Sequence, residues 1–319
     1  HAPLGFYPAC GKAGKSSSQV TSARRAASLG CAMDLPLPFA DALAPFVLYR
    51  PARQEVPIVF ASPHSGRAYP RSFLAAARLD PLTLRRSEDG FVDELFAAAP
   101  AYGAPLLTAV FPRAYCDPNR EPWELDPEMF AEPLPHWVNS GSARVGAGLG
   151  TIPRVVASGE PIYTRKLAFA EAEARIRGCW EPFHAALAKL IGETRTAFGH
   201  CLLIDCHSMP SPQVPPGQRV DFVLGDAHGT TCGPALVRLV EQVLGDLGYG
   251  VRRNDPYSGG YITRHYGRPR EDTQALQIEI ARDLYMDERR IERLAGFAKL
   301  QRDLECLLSA LGEAVLRFA

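Results

Sequence analysis

No uninterrupted apolar run in this chain approaches the roughly 20 residues that a bilayer span requires, and no charged segment followed by an apolar one marks a secretory signal. Net charge is also missing. The 35 Lys plus Arg balance 35 Asp plus Glu, so no overall basic field recruits nucleic acid or an anionic membrane, and positive charge has to be argued site by site. The eight cysteines include no CxxC pair, and a chain of 319 residues needs no disulfide staples. They read as reduced thiols in a cytoplasmic protein. No HExxH zinc motif and no internal repeat are present. What remains, 46% hydrophobic and 22% charged residues, is the composition of a globular protein able to bury a large core.

The first residues differ from the rest. "GKAGKSSSQVTSARRAASLG" is small, polar and basic with no sustained apolar period, so residues 1–34 are expected to form a disordered extension, and 35–319 one α/β domain. A start at Met33 would remove that segment; an Arg/Ser-rich leader without acids also fits an organelle transit peptide.

From Val56 onward short apolar runs alternate with longer helical patterns, which predicts an α/β architecture with a mixed central sheet flanked by helices. "VPIVFAS", "APLLTAVF", "CLLIDC", "RVDFVLG" and "ALQIEIA" are the expected strands. Helices are expected over Phe91 to Ala99, over Arg165 to Phe198 with a break near Pro182, and over Pro234 to Leu247 with Gly248 as the C-cap. A last helix is expected from Glu288 to about Phe318, with Asp287 as N-cap and Ile291, Leu294, Ala298, Leu304, Leu308, Leu311 and Val315 on its apolar face. Residues 116 to 164, rich in Pro and Gly and carrying Trp123 and Trp137, show little period. A stretch of that length suits a lid or pocket wall.

Ligands of open α/β sheets gather where strands end. Four strand candidates here run into polar groups: "IVFASPHSG" delivers His64, "LLIDCHS" delivers Asp205 and His207, "TAVFPRAYCDPNR" delivers Arg113, Asp117, Asn119 and Arg120, and "LQIEIA" carries Glu279. A hydrolytic zinc site takes two histidines and a carboxylate and keeps one position for water. His64 and His207 would supply the nitrogens, and "RRSEDGFVDELF" offers Glu88, Asp89, Asp93 and Glu94 for the carboxylate. Asp205 could orient an imidazole through its other nitrogen. Cys206 is assigned to packing, because adjacent strand residues point to opposite faces and so cannot pair it with His207 as nucleophile and base.

"SPHSG" (Ser62 to Gly66), "DPNR" (Asp117 to Arg120), "DCHS" (Asp205 to Ser208), "GGYITRHYG" (Gly259 to Gly267) and "LQIEIARDLYMDE" (Leu276 to Glu288) together resemble the N-formylglutamate amidohydrolase family. The resemblance extends to the zinc carboxypeptidase and aspartoacylase group in fold and site. It implies that His64, Asp89 and His207 bind one zinc ion, and that Glu279 is the catalytic glutamate. The related carboxypeptidases use His-x-x-Glu; the equivalent spacing here gives Arg67, so the acid in "SEDGF" is the match. Asn119 and Arg120 match the pair that holds a substrate carboxylate. Arg113 and Arg264 are candidates for a second cation, and Tyr261 and Thr263, in what reads as a glycine-led loop, for hydrogen-bond donors.

The implied reaction is hydrolysis of the formyl amide of an N-acyl acidic amino acid, N-formyl-L-glutamate first, to glutamate and formate, by a monomer or homodimer. Trp123, Trp137 and the 116 to 164 segment would close a small acyl pocket. A metallocarboxypeptidase, a deacylase with a wider pocket, and a non-catalytic protein that binds acidic ligands stand as alternatives.

Overall fold

The computed structural model describes residues 44–212 and 218–317. The expected N-terminal extension lies outside the described residues. A seven-stranded sheet contains β1 (Phe46–Tyr49), β2 (Ile58–Ser62), β3 (Leu106–Ala109), β4 (Cys201–Met209), β5 (Phe222–Gly225), β6 (Val251–Arg253) and β7 (Thr273–Ala281), in the order β1-β3-β2-β4-β7-β5-β6. Strands β3, β2, β4 and β7 are mutually parallel, β1 is antiparallel to β3, and β5 is antiparallel to β7. The sheet is therefore mixed, as expected from the sequence. Its two longest strands, β4 and β7, lie side by side in the middle and are buried along almost their whole length. Strands covered on both faces read as continuous apolar runs, which is why these two were visible.

Side chains alternate across the sheet. Ile58, Phe60, Ile204, Cys206, Leu276 and Ile278 face one core, and Val59, Ala61, Leu203 and Ala275 face the other. Between the strands run α1 (Arg71–Ala76), α2 (Pro81–Arg85), α3 (Val92–Leu95), α4 (Ala143–Gly146), α5 (Phe169–Arg175), α6 (Glu181–Phe198), α7 (Pro234–Asp246), α8 (Tyr261–Tyr266) and α9 (Phe297–Val315). The apolar stripes of α7 and α9 cover the first core, and Phe183, Leu187, Leu190 and Ile191 of α6 cover the second. Among the described residues no helix is long and apolar enough to cross a membrane.

The expected long helix is present over 169–198, and its break is a widened π turn at Ile176–Trp180, just ahead of Pro182. Proline has no N–H for the regular ladder, so the turn before it opens. Gly248 has the positive φ of +87° expected of a residue that ends a helix. The last helix starts later than expected. Asp287 accepts from the N–H groups of Arg289 and Arg290, at 2.8 and 3.1 Å, and closes a turn between β8 (Met286–Asp287) and β9 (Glu292–Arg293). That hairpin consumes the residues before Phe297, leaves Leu294 exposed, and moves the buried stripe to Phe297, Leu300, Leu304, Leu307, Leu308, Leu311 and Val315. "GGYIT" is not a loop: it opens α8, with Gly260 at the N-cap. Strands β1 and β6 have no counterpart among the expected ones.

Candidate active site

The parallel register of β4 and β7 sets Asp205 beside Gln277 and His207 beside Glu279. Alternation puts all four on one face while Cys206 and Ile278 enter the apolar core behind them. His207 therefore lies inside β4 rather than in a loop after it, because β7 continues the pairing as far as Met209 with Ala281. His64 arrives from the turn after β2. There Gly66 lets the chain pass against the segment after β3, since a Cβ on it would lie 2.1 Å from the carbonyl oxygen of Phe111. Asp89 is brought in when its N–H donates to the His64 carbonyl at 3.0 Å.

Both imidazoles are buried and both are held by the same ring nitrogen. His64 Nε2 lies 2.7 Å from Asp117 Oδ1, and His207 Nε2 lies 2.9 Å from Asp205 Oδ1. A carboxylate on one nitrogen fixes the tautomer and turns the other nitrogen toward a metal. The two Nδ1 atoms do converge, on Asp89 Oδ2, at 3.4 Å from His64 and 2.9 Å from His207. His64 Nδ1 is buried without a hydrogen-bond partner, and one donor atom from each of His64, Asp89 and His207 lies within 4.8 Å of the others. An orphaned nitrogen, a second imidazole and a carboxylate, all buried, fit a divalent cation and match the two-His, one-carboxylate set of hydrolytic zinc sites. Glu88, the other carboxylate considered, is turned away and binds Tyr69 Oη at 2.8 Å and Arg85. Arg67 pairs with Asp93 and Glu94.

Burial works against the charge of Asp89, but the imidazole of His207, hydrogen-bonded to it, and that of His64 beside it outweigh this and hold the carboxyl well below its usual range. Asp117 behaves alike: burial opposes its charge, and Arg113, His64 and Arg120 overcome that cost. Glu279 is different. Burial, with the Asp89 and Asp205 charges adding to it against His207 and Arg113, pushes its carboxyl up to about 7, although Gln277 donates to it at 2.8 Å. Two kinds of carboxylate thus share one site, one kind held ionised and the other poised near neutrality.

These groups line a cavity of about 470 Å³, within the range of small-molecule sites. Arg113, Arg120, Arg144, Arg264 and Arg282 line it against only Asp89, Asp117 and Glu279, an excess of two positive charges. Arg120 is largely committed: its Nε donates to the Leu149 carbonyl at 2.9 Å and its Nη1 to that of Asn119 at 2.8 Å. Burial first, and then the like charges of Arg113 and Arg144, lower its pKa to about 10 against the pull of Asp117. Asn119 borders the cavity, accepts from the Ile262 N–H at 2.8 Å and sets its Nδ2 3.0 Å from His207 Nε2.

Not every expected residue reaches the cavity wall. Thr263 is fully buried and donates to Asp205 Oδ2 at 3.0 Å, and the Tyr261 ring packs against Trp180 and His265. Because α8 is a helix, those side chains turn away to its neighbours. Trp123 and Trp137 meet edge to face beside Phe169, with Trp137 half exposed, and neither lines the cavity. The 116 to 164 segment does line it, through Arg144, Leu149, Pro153, Val155 and Ala157.

Several functional neighbours had no assigned role in the sequence. Asp117 was visible in "DPNR" as a polar residue but not as the partner of His64. Arg282 donates to Asp89 Oδ1 at 3.1 Å and follows directly on the strand that carries Glu279, in the same motif, a usable signal. His184 and Trp180 carried none. Trp180 Nε1 donates to the Arg120 carbonyl at 3.0 Å, and His184 Nε2 donates to the Pro118 carbonyl at 2.8 Å. Both stand on the helix face beside the π turn, and together they hold the loop that carries Asn119.

Known proteins are similar to this chain over most of its length. The chain is 31% identical to N-formylglutamate deformylase of Pseudomonas aeruginosa over 242 residues, covering 74% of this chain and 84% of that one. The Pseudomonas putida enzyme of the same name is also 31% identical, over 73% and 83% of the two chains. The crystal structure of N-formylglutamate amidohydrolase from Ralstonia eutropha superposes with a TM-score of 0.82 at 43% identity, covering 87% of this chain and all of that one. A gene product of Agrobacterium tumefaciens, 19% identical with a TM-score of 0.61, shares the fold over 86% of this chain and 94% of its own. The family model for N-formylglutamate amidohydrolase matches residues 56–286, which include every residue of the centre, and the chain belongs to that family.

Proposed function

We propose that this protein is a zinc-dependent amidohydrolase that cleaves the formyl amide of N-formyl-L-glutamate to L-glutamate and formate. The observation that carries the reading is the convergence of His64 Nδ1, His207 Nδ1 and Asp89 beside a glutamate poised near neutral pH. The substrates named for the relatives, and the positive excess of the cavity, support a dianionic N-acyl amino acid.

His64, Asp89 and His207 would hold the ion, which when bound supplies a Lewis acid for the formyl oxygen and for the attacking water. Glu279 takes a proton from that water as the oxygen attacks the formyl carbon. It then returns the proton to the departing nitrogen as the C–N bond breaks, leaving formate and the free amino group of glutamate. A carboxyl whose pKa burial has raised to about 7 is suited to both halves of that transfer. Arg113, Asn119 and Arg120 present donors for the α-carboxylate, and Arg264, tied to the Gly259 carbonyl and Ser258 Oγ, also borders the cavity.

Glu279→Gln tests the scheme. It preserves shape and removes the proton acceptor, so kcat on N-formyl-L-glutamate should fall by about 10² to 10⁴ while bound zinc per chain is unchanged. Turnover close to that of the unaltered protein removes Glu279 from the role.

A further inference from the structure

Of the five arginines around the cavity, four spend guanidinium hydrogens on the protein. Arg113 donates to Asp117, Arg120 to backbone carbonyls, Arg264 to Gly259 and Ser258, and Arg282 to Ser208, Arg86 and Asp89. Arg144 differs. It is half-buried and lines the same cavity, yet among the described residues its side chain makes no hydrogen bond and no ion pair. A partly desolvated cation without a partner costs free energy that an anionic ligand would offset.

Its position is fixed rather than incidental. Arg144 lies in the single turn α4, capped by Ser142 Oγ accepting from the Val145 N–H at 3.1 Å. Its own carbonyl accepts from the Leu149 N–H at 2.8 Å, and the Leu149 carbonyl in turn accepts from Arg120 Nε at 2.9 Å. The turn that carries Arg144 is thus tied to Arg120 through Leu149. Arg113 is joined to the metal-ligand cluster, bonded to the same Asp117 that holds His64. The α-carboxylate of an N-formyl amino acid sits close to the scissile amide, while the side-chain carboxylate of glutamate hangs farther out. Arg113, linked through Asp117 to His64, and Arg144, which among the described residues has no tie to the metal-ligand cluster, divide the two carboxylates in that way.

We propose that Arg144 is the specificity residue that receives the side-chain carboxylate of the substrate, and so selects N-formyl dicarboxylic amino acids over their neutral counterparts. This rests on the amidohydrolase reading above. It assigns Arg144 no part in bond cleavage.

The test compares N-formyl-L-glutamate with N-formyl-L-glutamine, the neutral substrate of almost the same shape, on the full chain and on Arg144→Gln and Arg144→Lys. Arg144→Gln should raise KM for N-formyl-L-glutamate by about 10- to 100-fold, the range for losing a hydrogen bond to a charged group. Its kcat should stay within about twofold, the signature of lost binding rather than lost chemistry. The same change should leave kcat/KM for N-formyl-L-glutamine unaltered, and Arg144→Lys should recover most of the KM. Equal effects on both substrates, or none on either, overturn the assignment. An unaltered protein that cleaves both equally overturns Arg144 alone; one that cleaves neither overturns the amidohydrolase reading and this proposal with it.

Discussion

Asp117 links the candidate metal centre to the cluster of arginines, and Asp117→Asn separates its two duties. Its Oδ1 accepts from His64 Nε2 at 2.7 Å and from the Asn119 N–H at 2.8 Å; its Oδ2 accepts from Arg113 Nη2 at 2.8 Å. Asparagine keeps one oxygen, which can go on serving His64 and Asn119. Its NH₂ group then faces Arg113, donor against donor. Removing one partner of a buried ion pair costs about 3–5 kcal/mol, and water in the cavity can reach Arg113, whose side chain is 23% exposed. The expected loss of stability is therefore below that range, about 2–3 kcal/mol, read as a shift of the urea unfolding midpoint. The neutral amide also makes His64 a weaker ligand, so zinc affinity measured by chelator competition should fall by about 10- to 100-fold. Arg113→Gln and the double variant complete a cycle, with an expected coupling of about 0.5–3 kcal/mol. Additive single effects, with unchanged zinc affinity, would refute the claim that one carboxylate holds both groups.

Two further perturbations probe the scaffold around the site. A Cβ on Gly260 would lie 2.2 Å from Asn119 Nδ2, and Asn119 is buried and hydrogen-bonded, so Gly260→Ala should displace it. A misplacement of this kind can cost about 100-fold in kcat/KM; activity within a few-fold of normal would mean that Asn119 moves without consequence. His184 is held neutral, with burial, assisted by the nearby His265, lowering its pKa to about 4 against the hydrogen bond to Pro118. The unfolded chain takes up that proton below about pH 6.5 while the folded chain does not until about 4, so its contribution is intact above 6.5 and declines as pH falls toward 4. The loss amounts to about 3 kcal/mol, and it should shrink when His184→Gln removes the titration. Parallel stability–pH curves for the two proteins would contradict this.

The central strands were legible because burial on both faces leaves long apolar runs, and "CLLIDC" and "ALQIEIA" are the two innermost strands. The edges were not. In β1 the pattern is half-exposed, with Val47 39% and Tyr49 50% accessible, and β6 is the polar triplet Val251–Arg253. Edge strands are defined by a neighbour that lies far away in sequence, and short ones carry little period of their own. The late start of α9 has the same origin. Asp287 is a good N-cap in isolation, and only the pairing of 286–287 with 292–293 diverts its carboxylate to a hairpin turn.

The site divides along a similar line. His64, His207 and Glu279 stand at or near strand ends and could be found there one by one; Asp89, between α2 and α3, was one acid among four until the family resemblance singled it out. Their partners stand on other elements, and nothing local marks them. "GGYITRHYG" shows what this does to motif reading. A long, specific motif with Tyr and Thr suggests donors for a substrate, yet apart from Arg264 on the cavity wall its parts act on other residues of the protein. Gly260 makes room for Asn119, the Ile262 N–H fixes Asn119 Oδ1, and Thr263 supports the carboxylate that orients His207. Substituting Thr263 should therefore act through Asp205 and His207, on the metal centre, and not on recognition of the acyl amino acid. A motif can be long because many of its positions touch the machinery from behind. Arg144 is the converse: it carries no motif, and among the described residues its side chain has no partner, which leaves it free to meet an anion in the cavity it lines.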